Sequence, residues 1–313
     1  MPIHVAAAAI LDNQGQVLIS KRADHLHQGG LWEFPGGKVE AGESPREALN
    51  RELKEELDIL PLAVEPLIRI RHRYDDRLVL LDFFHVTRYQ GEAKGMEGQP
   101  LRWVRPSEMS AEEFPAADRP VISALCLPDL YMITGSDPNE AEVFLRRLED
   151  ALKRGVRLVQ LRAHVLSNAT YRHLLDSARP LCAHYQAKLL INRPTDCQDW
   201  IGAADGIHLP AHQLMAIDER PEGRGLVGAS CHHRAELERA SQLQLDYALL
   251  SPVLATSSHP EARVLGWDEF ADRINSANLP VYALGGMQID MLARAKQAGG
   301  QGIAAISGLW PKC

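Results

Sequence analysis

The chain lacks the cysteine pairs, long apolar runs and basic charge that mark several large classes of protein. Its five cysteines have no paired spacing, so neither a disulfide framework nor a zinc site is predicted, and a reducing cytoplasm is expected. Lys and Arg number 34 against 41 Asp and Glu, and this excess of negative charge argues against binding nucleic acid polymers or anionic membranes. No apolar run approaches a membrane span, and no basic segment precedes the apolar N-terminal stretch, so neither a membrane helix nor a signal peptide is predicted.

The first 127 residues combine alternating apolar runs with few helical segments, a pattern typical of an α+β sandwich. A helix is predicted to begin after Ser44 as N-cap, with Pro45 in its first position, and to run to about Leu57. A short helix is predicted at Arg119–Leu127. The predicted strands are His4–Leu11, Val17–Lys21, Leu62–Arg71, Leu78–Arg88 and Leu101–Val104.

From Asp129 onward short apolar runs alternate with helical stretches, which is the rhythm of repeated β/α units. Eight runs can form parallel strands, and eight such units predict a closed α/β barrel of the TIM type. The runs are YMIT, VRLVQLR, AKLLIN, DGIHL, GLVGAS, DYALLS, LPVYALGG and GIAAISG. The chain is therefore predicted to hold two domains, residues 1–127 and 129–313.

The predicted helix after Ser44 carries clustered acids. Glu52, Glu55 and Glu56 fall within an arc of about 100° on one face. A solvated surface helix is one interpretation of such a face. The other is a site for Mg²⁺, which prefers oxygen ligands, with the glycine turn Gly36-Gly37 bringing a backbone carbonyl to the same place.

The full spacing around this helix reads G-x5-E-x7-R-E-L-x-E-E-x-x-I from Gly37 to Ile59. It resembles the signature of the Nudix hydrolases at every charged position. One position differs, because Asp58 stands where the signature has glycine. That glycine ends the helix, and aspartate also tolerates the left-handed conformation, so the helix is expected to end there.

The flanking segments resemble the MutT-type Nudix hydrolases over nearly all of residues 1–127. The resemblance rests on ISKRADHLHQGGLWEFPGGK, GEAKGMEGQPLRWV and EEFPAADRPVISAL. It implies metal ligation by Gly36, Glu52, Glu55, Glu56 and Glu97, and catalysis by Glu52, Glu56 or Glu97. It implies substrate contacts from Arg22, His27, Glu33, Phe34, Pro35, Gly36 and Asp118.

This resemblance implies hydrolysis of 8-oxo-dGTP to a nucleoside monophosphate and pyrophosphate with Mg²⁺, or with Mn²⁺ as an alternative. Such an enzyme removes oxidised nucleotides before DNA replication. Asp118 stands where these enzymes use asparagine to contact the oxidised base. Ionised aspartate only accepts hydrogen bonds and cannot donate to the base O6 unless it is protonated.

Residues 130–313 resemble thiamine phosphate synthase and its relative TenI, a thiazole tautomerase. The segments YMITG, GVRLVQLR, LLIN, ADGIHL, GASCH, SPVLATSSH, YALGGM and GIAAISG carry this resemblance in order. It implies a cup for a phosphorylated small molecule at Gly285, Gly286, Ser307 and Gly308. His232 matches the proton-transfer residue of the tautomerase.

The synthases hold a pyrophosphate through Mg²⁺ with two aspartates and two lysines. This chain has Arg193 and Gln213 at the aspartate positions, and His164 and His259 at the lysine positions. Loss of both carboxylates predicts that synthase activity is absent. The barrel is then a thiazole tautomerase or a ligand sensor, and the Nudix domain alternatively acts on a thiamine-pathway diphosphate.

Overall fold

The computed structural model describes residues 2–25, 28–74, 78–135, 140–193, 202–223, 225–256, 261 and 263–311. The chain divides into two compact units, Met1–Cys126 and Leu127–Cys313. Each unit is described by itself below. Across the described residues, none of the helices combines the length and the apolar character that crossing a bilayer requires.

The first unit is built on a mixed sheet. Its strands are β1 (Ile3–Leu11), β2 (Val17–Lys21), β3 (Trp32–Glu33), β4 (Gly36–Lys38), β5 (Leu60–Arg73), β6 (Leu78–Gln90) and β7 (Leu101–Val104). The order is β3-β2-β1-β6-β5, with β4 also paired to β1 and β7 to β2. Strands β1 and β6 run parallel, and the other pairs are antiparallel.

The two faces of this sheet are covered by the helices α1 (Pro45–Leu57) and α2 (Arg119–Cys126). Successive side chains of a strand point to opposite faces, so the alanine-rich β1 contributes to two cores. Ala6 and Ala8 belong to the core with Leu49 and Leu53 of α1. Ala7 belongs to the core on the other face, where α2 packs. The first unit is thus an α/β/α sandwich.

The second unit is a closed parallel barrel. Its strands are β8 (Leu130–Ile133), β9 (Leu158–Leu161), β10 (Lys188–Ile191), β11 (Gly206–Leu209), β12 (Leu226–Cys231), β13 (Tyr247–Leu250), β14 (Val281–Leu284) and β15 (Gly302–Ala305). Its helices are α3 (Ala141–Lys153), α4 (Asn168–His184), α5 (Ala211–Ala216), α6 (Arg234–Gln242), α7 (Gly266–Ile274) and α8 (Leu292–Gln297). The strand order is β10-β11-β12-β13-β14-β15-β8-β9, which closes the sheet.

Large side chains fill the barrel interior. Tyr131, Tyr247 and Tyr282 are fully buried there and contact one another edge to face, with ring centroids 5.4–5.9 Å apart. The Tyr131 and Tyr247 hydroxyls lie 3.0 Å apart, and each lies within 3.4 Å of His208 Nδ1. Burial lowers the pKa of His208 to about 3, so this histidine is neutral and serves the packing of the interior.

The predicted fold class is confirmed in both halves. Helix α1 and strands β2 and β7 have the predicted bounds, and all eight barrel strands lie within the predicted runs or one residue from them. The short strands β3 and β4 were not predicted, because two or three residues carry no periodicity. Both are held by pairing with β2 and β1, which is a tertiary effect.

Candidate active site

Helix α1 is fixed at both ends by local interactions. Ser44 Oγ accepts the backbone N–H of Glu47, and the Glu47 carboxylate accepts the backbone N–H of Ser44, which forms a capping box. At the other end Asp58 adopts φ 55° and ψ 33°. The expectation that aspartate can end this helix in the left-handed conformation is confirmed. The two ends of α1 are therefore fixed, and with them the positions of its acidic residues.

Arg51 ties the loop before α1 to the acidic face of the helix. Its Nε and Nη2 donate to the two oxygens of Glu43 at 2.9 and 3.0 Å, and Nη2 also donates to Lys38 O at 3.0 Å. Its Nη1 donates to Glu52 at 2.9 Å and to Glu55 at 3.3 Å. Arg51 therefore links Glu43 of the loop to the acidic face of the helix.

Gly36 and Gly37 were expected to form a turn, but they are the first two residues of the short strand β4, which pairs with β1. Each lies directly against a helix carboxylate. The backbone N–H of Gly36 donates to Glu56 Oε2 at 3.1 Å. A Cβ on Gly37 would lie 2.2 Å from Glu52 Cδ, so only glycine leaves room for that carboxylate. A Cβ on Gly36 would meet Ala6 O at 2.2 Å, which explains how β4 approaches β1 so closely. Glu55 lies apart from these glycines, with 61% of its side chain exposed.

A later loop brings Glu97 to the same place. The backbone N–H of Met96 and the side-chain amide of Gln99 both donate to Glu56 O, at 2.9 and 3.1 Å. Gln99 also accepts the N–H of Glu97 at 2.9 Å. Gln99 thus positions the Glu97 loop on the end of α1, a role with no signal in the sequence pattern.

These elements surround a cavity of about 650 Å³, a size that suits a nucleotide. Its lining includes seven of the predicted site residues, which are Arg22, Glu33, Phe34, Gly36, Glu56, Glu97 and Asp118. Apolar side chains of β1 and β6, such as Val5, Leu81 and Phe83, line it as well. Gln28, Lys38 and Tyr74 also line it and were not predicted.

The carboxylates in this cavity perturb one another. Burial, with smaller contributions from the charges of Glu33, Glu52 and Glu97, raises the pKa of Glu56 to about 8 against the Gly36 hydrogen bond. Burial also raises the pKa of Glu33, in opposition to Arg22, which forms an ion pair with it. The negative charges that act on Glu56 favour a bound cation, and a bound cation would in turn favour the ionised form of Glu56.

The remaining members of the predicted substrate set differ in position. Phe34 is 4% exposed and packs edge to face on Phe83, with centroids 5.6 Å apart, so it belongs to the core as well as the cavity wall. Pro35 is buried, and its carbonyl accepts the N–H of Ala8 at 2.9 Å in the sheet. His27 lies outside the described residues.

Asp118 lies in the cavity wall just before α2 and is 6% exposed. Burial, together with the Glu33 charge, raises its pKa to about 8, while the Arg22 charge acts in the opposite direction. The Tyr74 ring lines the same region, and burial with the Asp118 charge raises the pKa of its hydroxyl. At neutral pH Asp118 is therefore predominantly a neutral acid with both a donor and an acceptor.

The donor chemistry of this site fits a hard divalent cation. Glu52 and Glu56 both lie against Gly36 and Gly37 of β4, so two carboxylates lie beside one stretch of backbone. Among the described residues, no three His, Cys, Asp or Glu side chains stand in a ready ligand arrangement. Arg51 forms ion pairs with Glu52 and Glu55 in this structure. The predicted five-member ligand set stays a prediction.

In the barrel, the loops after β14 and β15 meet at their glycines. Gly285 and Gly286 have φ 99° and 71°, and a Cβ on Gly308 would lie 2.2 Å from Met287 O. Ser307 is exposed beside them. His232 lies at the end of β12, where its Nδ1 is 3.0 Å from Ser251 O. A proton on Nδ1 would leave Nε2 free to accept one.

The fold and the acidic cavity define the first unit as a Nudix hydrolase, joined to a barrel of the thiamine phosphate synthase type. The profile of the NUDIX domain matches residues 6–124, and that of thiamine monophosphate synthase matches residues 130–309. The chain belongs to the Nudix family through its N-terminal half and to the thiamine monophosphate synthase family through its C-terminal half.

Three relatives illustrate the similarity. The 8-oxo-dGTP diphosphatase of Escherichia coli is 37% identical over 39% of this chain and 95% of its own length. The CTP pyrophosphohydrolase of the same organism is 38% identical over 37% of this chain and 87% of its own length. The thiamine-phosphate synthase of Lysinibacillus sphaericus is 30% identical over 58% of this chain and 87% of its own length.

Proposed function

We propose that the Nudix domain, residues 1–127, hydrolyses 8-oxo-dGTP and related oxidised nucleoside triphosphates to the monophosphate and pyrophosphate. The observation that carries the proposal is the cavity, whose lining combines a cluster of acids around Glu56 with a buried neutral acid at Asp118. The cluster of acids suits a metal-bound triphosphate, and the neutral acid suits the edge of a purine base. The similarity to an 8-oxo-dGTP diphosphatase supports the same substrate.

The roles of the chain's own groups follow from their positions. Arg22 would contact the phosphates, and the segment Glu33–Gly36 would line the nucleotide. Glu52, Glu55, Glu56, Glu97 and the Gly36 carbonyl would hold Mg²⁺, or Mn²⁺ in its place. The ion would neutralise the phosphate oxygens and the leaving group. One of Glu52, Glu56 and Glu97 would orient and deprotonate the attacking water.

Asp118 would hydrogen-bond the base in its protonated form. A neutral carboxylic acid presents one O–H donor and one carbonyl acceptor, which is the pattern an asparagine offers. It can then donate to O6 of the oxidised guanine and accept from an N–H of the same base. The neutral form of Asp118 therefore supplies the hydrogen-bond donor that an ionised aspartate lacks.

Product analysis of the purified full-length chain with 8-oxo-dGTP and Mg²⁺ tests this proposal. We expect pyrophosphate as the product and a loss of about 10²- to 10⁴-fold in kcat for Glu56→Gln. Glu65→Gln, an exposed position on β5, is the matched control and should retain full activity. Release of inorganic phosphate instead, or an unaffected Glu56→Gln variant, would refute it.

A second candidate is a Nudix pyrophosphatase that acts on a thiamine-pathway diphosphate. The synthase-type barrel, residues 129–313, favours it, because the fusion joins the Nudix domain to a domain of the thiamine phosphate synthase type on one chain. In this reading the barrel binds a phosphorylated small molecule at Gly285, Gly286, Ser307 and Gly308. Higher kcat/KM for a thiamine-pathway diphosphate than for 8-oxo-dGTP would support this candidate.

The barrel itself is either a thiazole tautomerase or a ligand-binding domain. His232 would transfer the proton in the first case, and its Nδ1 contact with Ser251 O would set the tautomer. Isomerisation of thiazole phosphate by the full chain, abolished in His232→Ala, would establish the enzyme. Binding without turnover would establish the ligand-binding domain.

A further inference from the structure

The barrel positions that correspond to the magnesium aspartates of the synthases do not fit a metal ion. Arg193 follows β10, and Gln213 lies in α5 after the neighbouring strand β11. A guanidinium repels a divalent cation, and an amide oxygen alone cannot replace two carboxylates. The chemistry at this end of the barrel must therefore differ from that of a magnesium site.

The Arg193 guanidinium is held in place from two sides. Its Nη2 donates to Ala163 O at 3.1 Å and to Leu166 O at 2.7 Å. Its Cζ lies 4.3 Å from the centre of the Tyr171 ring, a cation–π distance, and the Tyr171 hydroxyl donates to Leu161 O at 2.8 Å. The charge is thus fixed before any ligand arrives, as a binding site requires.

Two polar atoms at these positions are buried without a partner. Among the described residues, nothing hydrogen-bonds Nε of Arg193 or Oε1 of Gln213. Buried polar atoms are nearly always satisfied, so each such atom calls for a partner. An unpaired charged donor is the more costly of the two, and an anion would satisfy it.

The local charge is positive at the ends of β9 and β10. Arg162 directly follows β9, and the described residues include no carboxylate paired with Arg162 or Arg193. Partial burial lowers the pKa of His164, and the charges of both arginines lower it further, which places all three side chains in one electrostatic neighbourhood. Two cations that both act on His164, neither of them paired with a described carboxylate, favour an anionic ligand.

We propose that the barrel binds the phosphoryl group of a small phosphorylated molecule directly through Arg193, with Arg162 beside it, and without a divalent cation. Arginine suits this task because its charge does not vary with pH, and the Nε–H of Arg193 has no acceptor among the described residues. The barrel thereby replaces a magnesium-dependent pyrophosphate site with a metal-independent anion site.

Calorimetric titration of the full-length chain with inorganic pyrophosphate in excess EDTA tests this proposal. EDTA removes divalent ions, so metal-dependent binding to the Nudix domain does not contribute. We expect measurable binding that Arg193→Gln weakens by about tenfold or more, in line with loss of a charged hydrogen-bond donor. Arg193→Lys keeps the charge without the Nε–H donor and should fall between the two.

Arg154→Gln is the matched control. It removes the same charge from an exposed arginine at the end of α3, which precedes β9 and so lies at the opposite end of the barrel. It should bind pyrophosphate as the parent chain does. Arg162→Gln should also weaken binding, and it keeps the test decisive if Arg193→Gln does not fold. No binding in EDTA, or binding that neither substitution affects, would overturn the proposal.

Discussion

In the proposed function, the charge state of Asp118 determines which hydrogen bonds the cavity offers to a bound base. A carboxylate there would face the acceptor atoms of a purine edge with acceptors only. Burial and the nearby Glu33 charge raise its pKa to about 8, against the opposing effect of Arg22. The side chain is then neutral through most of the physiological range of pH, so its surroundings determine which hydrogen bonds it can offer to a base.

Hydrolysis of 8-oxo-dGTP should therefore depend on the protonation of Asp118. The O–H donor is present below the pKa of about 8 and is lost as the pH rises through it. We expect kcat/KM of the parent chain for 8-oxo-dGTP, divided by that of Asp118→Asn, to fall between pH 7 and 9, because an amide does not titrate over this range. A quotient that stays constant over this range would contradict this account.

Asp118→Asn should also stabilise the fold. The native carboxyl binds its proton more tightly than the unfolded one, so the native state holds more protons between about pH 4 and 8. The free energy of unfolding of the parent chain then falls as pH rises through this window, by at most about 1.4 kcal/mol per unit from this group. Thermal unfolding should show Tm gains for Asp118→Asn that grow from pH 5 to 8. Asp150→Asn, on the exposed surface of α3, should give no such trend.

At the residue level the sequence carried the ligand candidates but not their environments. The helical spacing of Glu52 and Glu56 is local and was sufficient to place them on one face, whereas their contact with Gly36 and Gly37 depends on the pairing of β4 with β1. The burial of Asp118 depends on α2 and on strands distant in sequence. No local pattern predicts its pKa for that reason.

Among the elements, β4 and α1 are in direct contact, because Gly37 of β4 lies against Glu52 of α1. A Cβ at position 37 would meet the Glu52 carboxyl group at 2.2 Å, and that flexible group would move away. We expect Gly37→Ala to keep the fold and lower kcat/KM by at least about tenfold, because a misplaced group costs this much or more.

A double-mutant cycle distinguishes this cause from general damage. Glu52→Gln should lower kcat/KM by itself, and adding Gly37→Ala to it should cause little further loss, because both changes act on one carboxylate. Circular dichroism and Tm would verify that the variants fold. Fully additive losses would show that Gly37 acts elsewhere.

The N-terminal cap of α1 is the second testable feature among the elements. Ser44→Ala removes the hydroxyl that accepts the Glu47 N–H, and we expect a loss of about 1 kcal/mol in the free energy of unfolding. Ser110→Ala is the matched control, since Ser110 precedes a 3-10 turn at Ala111–Glu113 and makes no capping hydrogen bond. An equal effect of both substitutions would exclude the capping role.

Element prediction succeeded where the signal was local. The cap at Ser44 and the left-handed end at Asp58 bound α1 as expected. The short strands β3 and β4, and the Gln99 contact that positions Glu97, depend on partners far along the chain. Those features determine the shape of the cavity, so the sequence indicated which residues line the cavity better than it indicated the shape of the walls.

For the whole molecule, two sites with opposite charge preference are expected on one chain. The Nudix cavity holds a cluster of acids around Glu56 and should need a divalent cation, whereas the end of the barrel near Arg193 is positive and should not. Excess EDTA should thus abolish nucleotide hydrolysis while leaving pyrophosphate binding intact, as monitored on the same preparation. Restoring Mg²⁺ should recover the hydrolysis. Hydrolysis that survives EDTA would contradict the role given to the acidic face of α1.

The most direct test of the central claim is the substrate preference of the full-length chain. Pyrophosphate or phosphate release would give kcat/KM for 8-oxo-dGTP, dGTP, CTP and thiamine diphosphate with Mg²⁺ at pH 7, with Glu56→Gln as the inactive control. The account predicts that 8-oxo-dGTP is the best substrate by a wide margin and that Glu56→Gln removes the activity. Equal rates across the panel, or a preference for thiamine diphosphate, would contradict it.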